Sequence, residues 1–562
     1  MFNSSMSRDG IARDSLFRAT LLVVVILAIL AFRAAFSAYF MLDDFGMLTI
    51  SRFLDNPFDP FIQDQFPGGL YYRPLGMLLW WLSERAFGAE PLGHYLLNLL
   101  LHGLVAIALG TLVKRLCGSR WAGLIVAAVF VLHPIGVGSA LWLSDRFDLL
   151  ALLFGLLGLH AALQFSLNQN RRSLWATLIL LGLSLLSKEI ALACITGVGM
   201  LWLCATDGSS VSRRVVRCLY LLLPVAIYFL ARALILNHST ILSLMSRGDP
   251  AHLFIDGIQH WLAGWMDYFP FWAHLDGWKK ILSIGATATL ILLGLISTRL
   301  AWTASRRQTF FVGIAIWLTS GLLQWPLLAH FSVRLGEIGN TVDTVVNTRL
   351  FYTSLAGLLI ALAALLVPLT ESIKGRRWLA VMTMALLVPW FSASQNLARR
   401  HRIQTQNVES VVTSANAAIA KLELPSKGCQ IYLLDIDAWS FKWISDEAVK
   451  ATYPDLPRIA GCLVQTEHTP WYHIAMLDSL DKESLRPMTI NGNATQLSSL
   501  RDMGRAKMLF LNLDARSVIA TDSQAKFLSW QGGDFTDVTV EVLSGRRKPA
   551  FVCNRSESEC PH

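Results

Sequence analysis

The sequence predicts a multi-pass α-helical membrane protein of about eleven spans, carrying a C-terminal soluble α/β domain. Three observations predict it. Of 562 residues, 54% are hydrophobic and only 15% charged, with a mean hydropathy of +0.47; a soluble domain carries about 25% charged residues. Apolar runs close to the twenty residues that cross a bilayer recur over residues 1–396. From Arg399 onward the composition changes, and 19 Lys and Arg balance 19 Asp and Glu. The net charge of +9 therefore belongs to the membrane part, where basic residues set orientation. It does not call for nucleic acid.

Arg8, Arg13 and Arg18 precede the first run, Leu21 to Met41. Small residues near Ala38 give it the look of a signal peptide, but Arg33 inside it and the many later spans favour an uncleaved anchor. Further spans fall near 91–113, 121–142, 147–167, 173–187, 190–206, 217–236, 281–298, 309–330, 350–370 and 378–396. The loops carrying Lys114, Arg115, Arg171, Arg172, Arg213, Arg214, Arg306, Arg307, Lys374 and Arg376 alternate with loops of acidic or mixed charge. By the positive-inside rule the basic set is cytoplasmic, with the N-terminus. The other set (43–90, 143–147, 187–189, 237–280 and 331–349) faces outward, and so does the tail.

Within 43–90, the stretch from Pro74 to Glu84 reads as a helix lying in the interface. The 237–280 loop, with Trp261, Trp265, Tyr268 and Trp278, reads likewise, as a cover for an outer site or as aromatic anchors. The expected division is a membrane domain over 1–396 and an extracytoplasmic α/β domain over 397–562. In the tail, Val408–Leu422 suits a helix, and Gln430–Leu434, Met508–Leu513 and Val538–Leu543 suit strands. Cys429, Cys462, Cys553 and Cys560 would permit two disulfides in an oxidising compartment. Asp435 and Asp437 read as loop carboxylates.

Ionisable residues in or beside spans are costly and are functional candidates by default. Those on the outer side are Asp43 and Asp44 after span one, Arg73, then Asp145, Arg146 and Asp148 at the start of span four. Lys188 and Glu189 follow the short span, Arg232 ends another, and Arg349 opens the one after the 331–348 loop. Inside span two, His94, Asn98 and His102 recur every four residues and share a helix face. Such residues commonly bond helices together; a polar track for a lipid headgroup is the sharper reading. Arg33 lies about 15 Å from Asp43 along a continuous helix and needs a partner, for which that track is a candidate.

Carboxylates with cations at an outer face fit group transfer from a lipid phosphate. A carboxylate takes the proton of an acceptor hydroxyl, and Arg and Lys stabilise the departing phosphate. No GxxxxGK[ST] and no GxGxxG after a strand is present, so a nucleotide-sugar donor is not expected.

The segments that carry this chemistry are Asp43-Asp44, Tyr72 to Leu75, Pro91 to His102, His133-Pro134, Asp145 to Ala151, Leu186 to Glu189 and Arg349 to Tyr352. In order and spacing they resemble the C-type (GT-C) integral-membrane glycosyltransferases, nearest the membrane part of the transmembrane and tetratricopeptide-repeat O-mannosyltransferases and their bacterial relatives. The resemblance implies a GT-C-like membrane domain and a polyprenyl-phosphate-linked hexose donor, often mannose. Transfer would occur with inversion at the outer face of a bacterial inner membrane. It implies Asp43 or Asp44 as catalytic base, with a lean to Asp44, its neighbour nearer the span orienting it. Arg73, Arg146, Asp148, Lys188, Glu189, Arg232, Arg349, His94, Asn98 and His102 are the candidates for donor phosphate and substrate. Before Arg146 the family commonly has Gly, whereas Ser144 and Asp145 stand here, which weakens a role for Asp145. The repeat array is replaced by the tail, so the acceptor (glycan, lipid or protein) does not carry over.

No metal ligands are assigned; a diphosphate leaving group would call for a divalent cation, a monophosphate is met by Arg and Lys. The rival readings are a lipid-linked glycan transporter or flippase, a polymerase or ligase, and a non-catalytic membrane scaffold. No repeated halves with paired broken helices favour the transporter.

Overall fold

Apolar runs bounded by caps become helices along the first four hundred residues, and a sheet forms in the tail. The computed structural model describes residues 8–63, 71–205, 208–236, 250–269, 271, 275–297, 302–330, 347–425, 429–436, 439–466, 473–476, 508–511 and 525–547. The helices are α1 (Arg8–Ala31), α2 (Asp43–Phe53), α3 (Pro74–Phe87), α4 (Pro91–Cys117), α5 (Arg120–Leu132), α6 (Gly136–Leu141), α7 (Arg146–Asn168), α8 (Arg171–Ser187), α9 (Leu192–Leu203), α10 (Val211–Leu219), α11 (Leu222–Ile235), α12 (Pro250–Tyr268), α13 (Gly277–Ser297), α14 (Ala304–His330), α15 (Tyr352–Leu366) and α16 (Ile373–Ala420). In the tail they are α17 (Trp439–Thr452), α18 (Leu456–Ile459) and α19 (Thr539–Leu543). The chain gathers into two units. One comprises 1–37, 72–76 and 92–401; the other 38–71, 77–91 and 402–562. The second is thus wider than the tail alone.

Five described segments are long and apolar enough to cross a membrane: Pro91–Cys117, Leu143–Asn168, Val211–Ile235, Arg349–Thr370 and Ile373–Ala420. The chain is a multi-pass membrane protein. Local sequence sets the ends. Pro91 opens α4, where its missing N–H costs nothing, and Gly118 (φ 68°) follows its last residue. The Ser119 hydroxyl then accepts from the Ala122 amide to start α5. α14 and α15 approach closely at glycines: a methyl group on Gly357 would lie 2.5 Å from the Trp317 amide nitrogen.

Three expected spans are interrupted. The first run leaves the α-helix at Ala31 for a 3₁₀ turn, Arg33–Ser37, which leaves Arg33 exposed rather than paired inside a span. The 15 Å spacing to Asp43 along a continuous helix therefore does not exist, and Asp43 and Asp44 open α2 instead of ending span one. The run 121–142 parts into α5 and α6 at His133-Pro134, since proline disfavours helix at the residue before it. The run 217–236 breaks between α10 and α11.

The second unit holds a four-stranded sheet and a separate antiparallel pair of strands. Strands β1 (Cys429–Leu434), β2 (Cys462–Thr466), β5 (Ala525–Gln531) and β6 (Asp534–Asp537) lie in the order β2-β1-β5-β6. The first three are parallel and β6 is antiparallel. β3 (His473–Met476) pairs antiparallel with β4 (Met508–Leu511). β1 and β2 are buried throughout, as parallel strands are. Tyr432 stacks on Phe527 across β1 and β5 at 4.9 Å.

Val538–Leu543, expected as a strand, is mostly the helical turn α19. The Asp537 carboxylate accepts from the Thr539 amide at 2.8 Å, which starts a turn where the β-branched alternation reads as strand. Residues 408–420, expected as a separate helix, are the end of α16. Asp435 lies beyond β1 and binds Ser529 and Arg547; Asp437 is outside the described residues.

α2 packs on α17. Thr49 Oγ1 donates to the Glu447 carbonyl at 2.9 Å, and Arg52 caps the end of α17 through the carbonyls of Lys450, Ala451 and Tyr453. Asp446 and Lys450 form a fully buried pair at 2.9 Å. Glu447, 3% exposed, has an Oε2 with no hydrogen-bond partner among the described residues. Burial foremost, then the charges of Asp446 and Asp43, push its carboxyl well above the usual range. The folded state thus binds this proton more tightly than the unfolded chain. The resulting stability is full below the ordinary glutamate range and is lost as pH rises through the raised value. Hydrogen exchange of α17 in the full chain, corrected for intrinsic rates, is expected to show this loss, and Glu447→Gln to remove it.

Cys429 and Cys462, register partners at the start of β1 and β2, form a disulfide with Cα atoms 4.3 Å apart. Cys553 and Cys560 lie outside the described residues. Cys117, Cys194, Cys204 and Cys218 are free thiols. Alkylation followed by mass spectrometry is expected to leave Cys429 and Cys462 unlabelled until reductant is added. Replacing both by Ser is expected to cost the second unit about 2–4 kcal/mol.

Candidate active site

Asp43 and Asp44 fall in the first turn of α2, where the helix N-terminus favours negative charge. Their surroundings differ. Asp44 is fully buried, and its Oδ2 accepts from the Met41 amide at 3.1 Å. Asp43 is exposed. Leu42, just before them, holds φ at 44°, a conformation costing a non-glycine residue about 1–3 kcal/mol and common at functional sites.

The remaining candidates lie in the first unit, six of them in two charge clusters. Both start from Lys188-Glu189, where α8 stops. Lys188 is extended (φ −168°, ψ 148°) and Glu189 begins a 3₁₀ turn.

In the first cluster Glu189 meets two arginines. Its Oε2 accepts from Arg73 Nε and one terminal nitrogen at 3.2 and 3.0 Å, and its Oε1 from Arg232 at 2.7 Å. The Tyr228 hydroxyl lies 3.2 Å from Oε1 and 3.1 Å from the Tyr72 carbonyl oxygen. Arg73 also packs over Phe147. The side chains of Arg73, Glu189 and Arg232 keep 15%, 26% and 17% exposure.

The second cluster is closed. Lys188 Nζ binds Asp148 and lies 3.5 Å from Asp145 Oδ1; Ser139 donates to Asp145. Here Lys188 keeps 10% exposure, Asp145 1% and Asp148 2%. Beside it in sequence, Arg146 is fully buried, with Nε on the Leu143 carbonyl and a terminal nitrogen 3.5 Å from His94 Nδ1.

His94, Asn98 and His102 are all fully buried. Asn98 reaches the carbonyls of Ser139 and Trp142 at 3.4 and 3.5 Å. His102 lies between the Tyr352 hydroxyl (2.8 Å) and the Val131 carbonyl (3.1 Å). A carbonyl only accepts, so Nε2 carries the proton and Nδ1 accepts from the tyrosine. These bonds tie α4 to α5 and α15. Arg349 lies over Trp142, its Cζ 3.9 Å from the ring centroid, and its Nε is buried with no hydrogen-bond partner among the described residues. Among the described residues no three His, Cys, Asp or Glu side chains gather in a way that could hold a metal.

Sequence reasoning missed Tyr228. The signal was present: it stands four residues before Arg232, on the same helix face. Glu447 was missed because a carboxyl in an amphipathic helix reads as solvated until its packing is known.

Residues 15–238 match the family model described as dolichyl-phosphate-mannose-protein mannosyltransferase. The likeness is thus to GT-C membrane glycosyltransferases, a class of enzymes, and it covers less than half of the chain. Among individual proteins, the chain is 31% identical over 129 residues to the protein O-mannosyl-transferase Tmtc1 of Drosophila melanogaster. That stretch is 23% of this chain and 15% of the fly protein. Among solved structures, the oligosaccharyltransferase of Archaeoglobus fulgidus superposes with a TM-score of 0.41 at 14% identity, over 82% of this chain and 68% of that one. ArnT from Cupriavidus metallidurans, bound to undecaprenyl phosphate, superposes at 0.40 and 15% identity, over 85% of this chain and 96% of that one.

Proposed function

We propose that this protein is a glycosyltransferase that moves a hexose, mannose by preference, from a polyprenyl-phosphate donor to an acceptor hydroxyl at the outer membrane face, with inversion. The observation that carries the reading is the Arg73–Glu189–Arg232 cluster. Two guanidiniums converge on one partly exposed point, and all three residues fall in the stretch that matches a family named for a dolichyl-phosphate-mannose donor. An apolar groove lined by residues such as Val126, Leu359, Leu386 and Trp390 suits a hydrocarbon chain.

The acceptor oxygen attacks the anomeric carbon from the face opposite the phosphate. The carbon–oxygen bond to phosphate breaks and its electron pair leaves with the phosphate oxygen. The acceptor proton passes to a carboxylate. We assign that role to Asp43, because it is exposed, and an orienting role to the buried Asp44. This reverses the preference drawn from sequence. Arg73 and Arg232 balance the charge gained by the leaving phosphate, with Arg349 as a third candidate. Lys188, Asp148, Arg146, His94, Asn98 and His102 are assigned to holding the helices rather than to substrate. We propose a bacterial inner membrane, with the N-terminus cytoplasmic and the catalytic residues and tail on the outer side; the alternation of basic loops supports this orientation, and the Cys429–Cys462 disulfide suits an oxidising compartment.

The test is comparative mass spectrometry of envelope glycans and glycoproteins from cells with the protein, without it, and with Asp43→Asn. A missing hexose, restored by the wild-type chain and not by the variant, is expected. An unchanged profile on deletion would sink the proposal.

A further inference from the structure

Glu189 occupies both arginines that the proposed function gives to the donor phosphate. Its Oε2 accepts from two nitrogens of Arg73, donors that a phosphate oxygen would also accept from. Its Oε1 takes Arg232. We propose that Glu189 is an internal substitute for the phosphate: it yields the two guanidiniums to the phosphate head of a polyprenyl lipid and returns to help expel the product. This rests on the reading that Arg73 and Arg232 receive that phosphate.

Charge supplies the reason. The donor is a phosphodiester with one negative charge. Loss of the sugar leaves a phosphate monoester, which carries about −1.5 to −2 at pH 7. Two bare guanidiniums would hold the product more tightly than the donor. A carboxylate that competes for them offsets this, and the exchange makes and breaks no covalent bond.

Three observations give Glu189 the means. The cluster keeps exposure at all three members, whereas the Lys188–Asp145–Asp148 cluster is nearly closed. Glu189 lies in a 3₁₀ turn after a helix break, so no α-helical turn fixes its side chain. Tyr228, buried, holds its one hydroxyl proton within reach of both Oε1 and the Tyr72 carbonyl, so it can give the proton to Oε1 when the carboxylate is in place and to the carbonyl when it has left.

The test is titration of the purified full chain in detergent with farnesyl monophosphate and, separately, with inorganic phosphate. Glu189→Gln is expected to bind both about tenfold more tightly than wild type, with the lipid the stronger ligand throughout. Tyr228→Phe, which keeps the ring packing, is expected to tighten binding in the same direction by a smaller factor. Arg73→Ala and Arg232→Ala are expected to weaken it. If the arginine variants bind as wild type does, the underlying reading fails. If they weaken binding while neither Glu189→Gln nor Tyr228→Phe tightens it, the reading stands and Glu189 is an organiser of the arginines, which overturns the substitution proposal. A gain seen with the lipid and not with inorganic phosphate also overturns it, because competition for the head must act on both.

Discussion

Asp43→Asn is expected to lower hexose transfer by about 10²–10⁴-fold, the usual contribution of a positioned general base, with the protein still folded in the membrane. The substitution is nearly isosteric, and Asp43 is exposed, so little packing is lost. Asp44→Asn should be milder, since the amide oxygen can still accept from the Met41 N–H. Asp44→Ala removes that acceptor and should cost about 0.5–2 kcal/mol of local stability. Transfer rates measured beside membrane yield separate the two roles. A dead Asp44→Asn beside an active Asp43→Asn would exchange them; full activity in both single variants and the double variant would remove the pair from the chemistry.

The largest effect on stability is expected from Lys188→Ala. It takes the ammonium from between two carboxylates that are almost wholly buried, and breaking such a pair costs about 3–5 kcal/mol. The protein should fall in the membrane fraction and melt at lower temperature. Adding Asp148→Asn should recover much of the loss, because the uncompensated charge goes with the cation. If Lys188→Ala instead folds normally and loses only transfer, the cluster touches substrate and is not a brace.

The membrane character was legible because hydropathy is a sum over many residues and survives local error. Each expected run overlaps described helix, and five described segments are long and apolar enough to cross. The interruptions were less legible. An apolar run reads the same whether or not the backbone leaves the helix at Ala31, and where Arg33 then lies is a tertiary fact. Charged candidates were found because ions near a bilayer are conspicuous; their pairing was not. Lys188 and Glu189 looked like two members of one site, yet they serve separate clusters. In the tail, the run from Val538 has the alternation of a strand, and one hydrogen bond from Asp537 decides for a turn.

That division of Lys188 from Glu189 has a further consequence. In extended backbone, neighbouring side chains point to opposite sides, whereas in a helix they lie about 100° apart. A single stretched residue between α8 and α9 thus acts as a polarity switch in the chain: a cation to one side, an anion to the other. Its meaning depends on parity. Inserting or deleting one residue here would present an ammonium to two arginines and a carboxylate to two aspartates, repulsive on both sides at once. The segment should therefore tolerate change of residue type better than change of length.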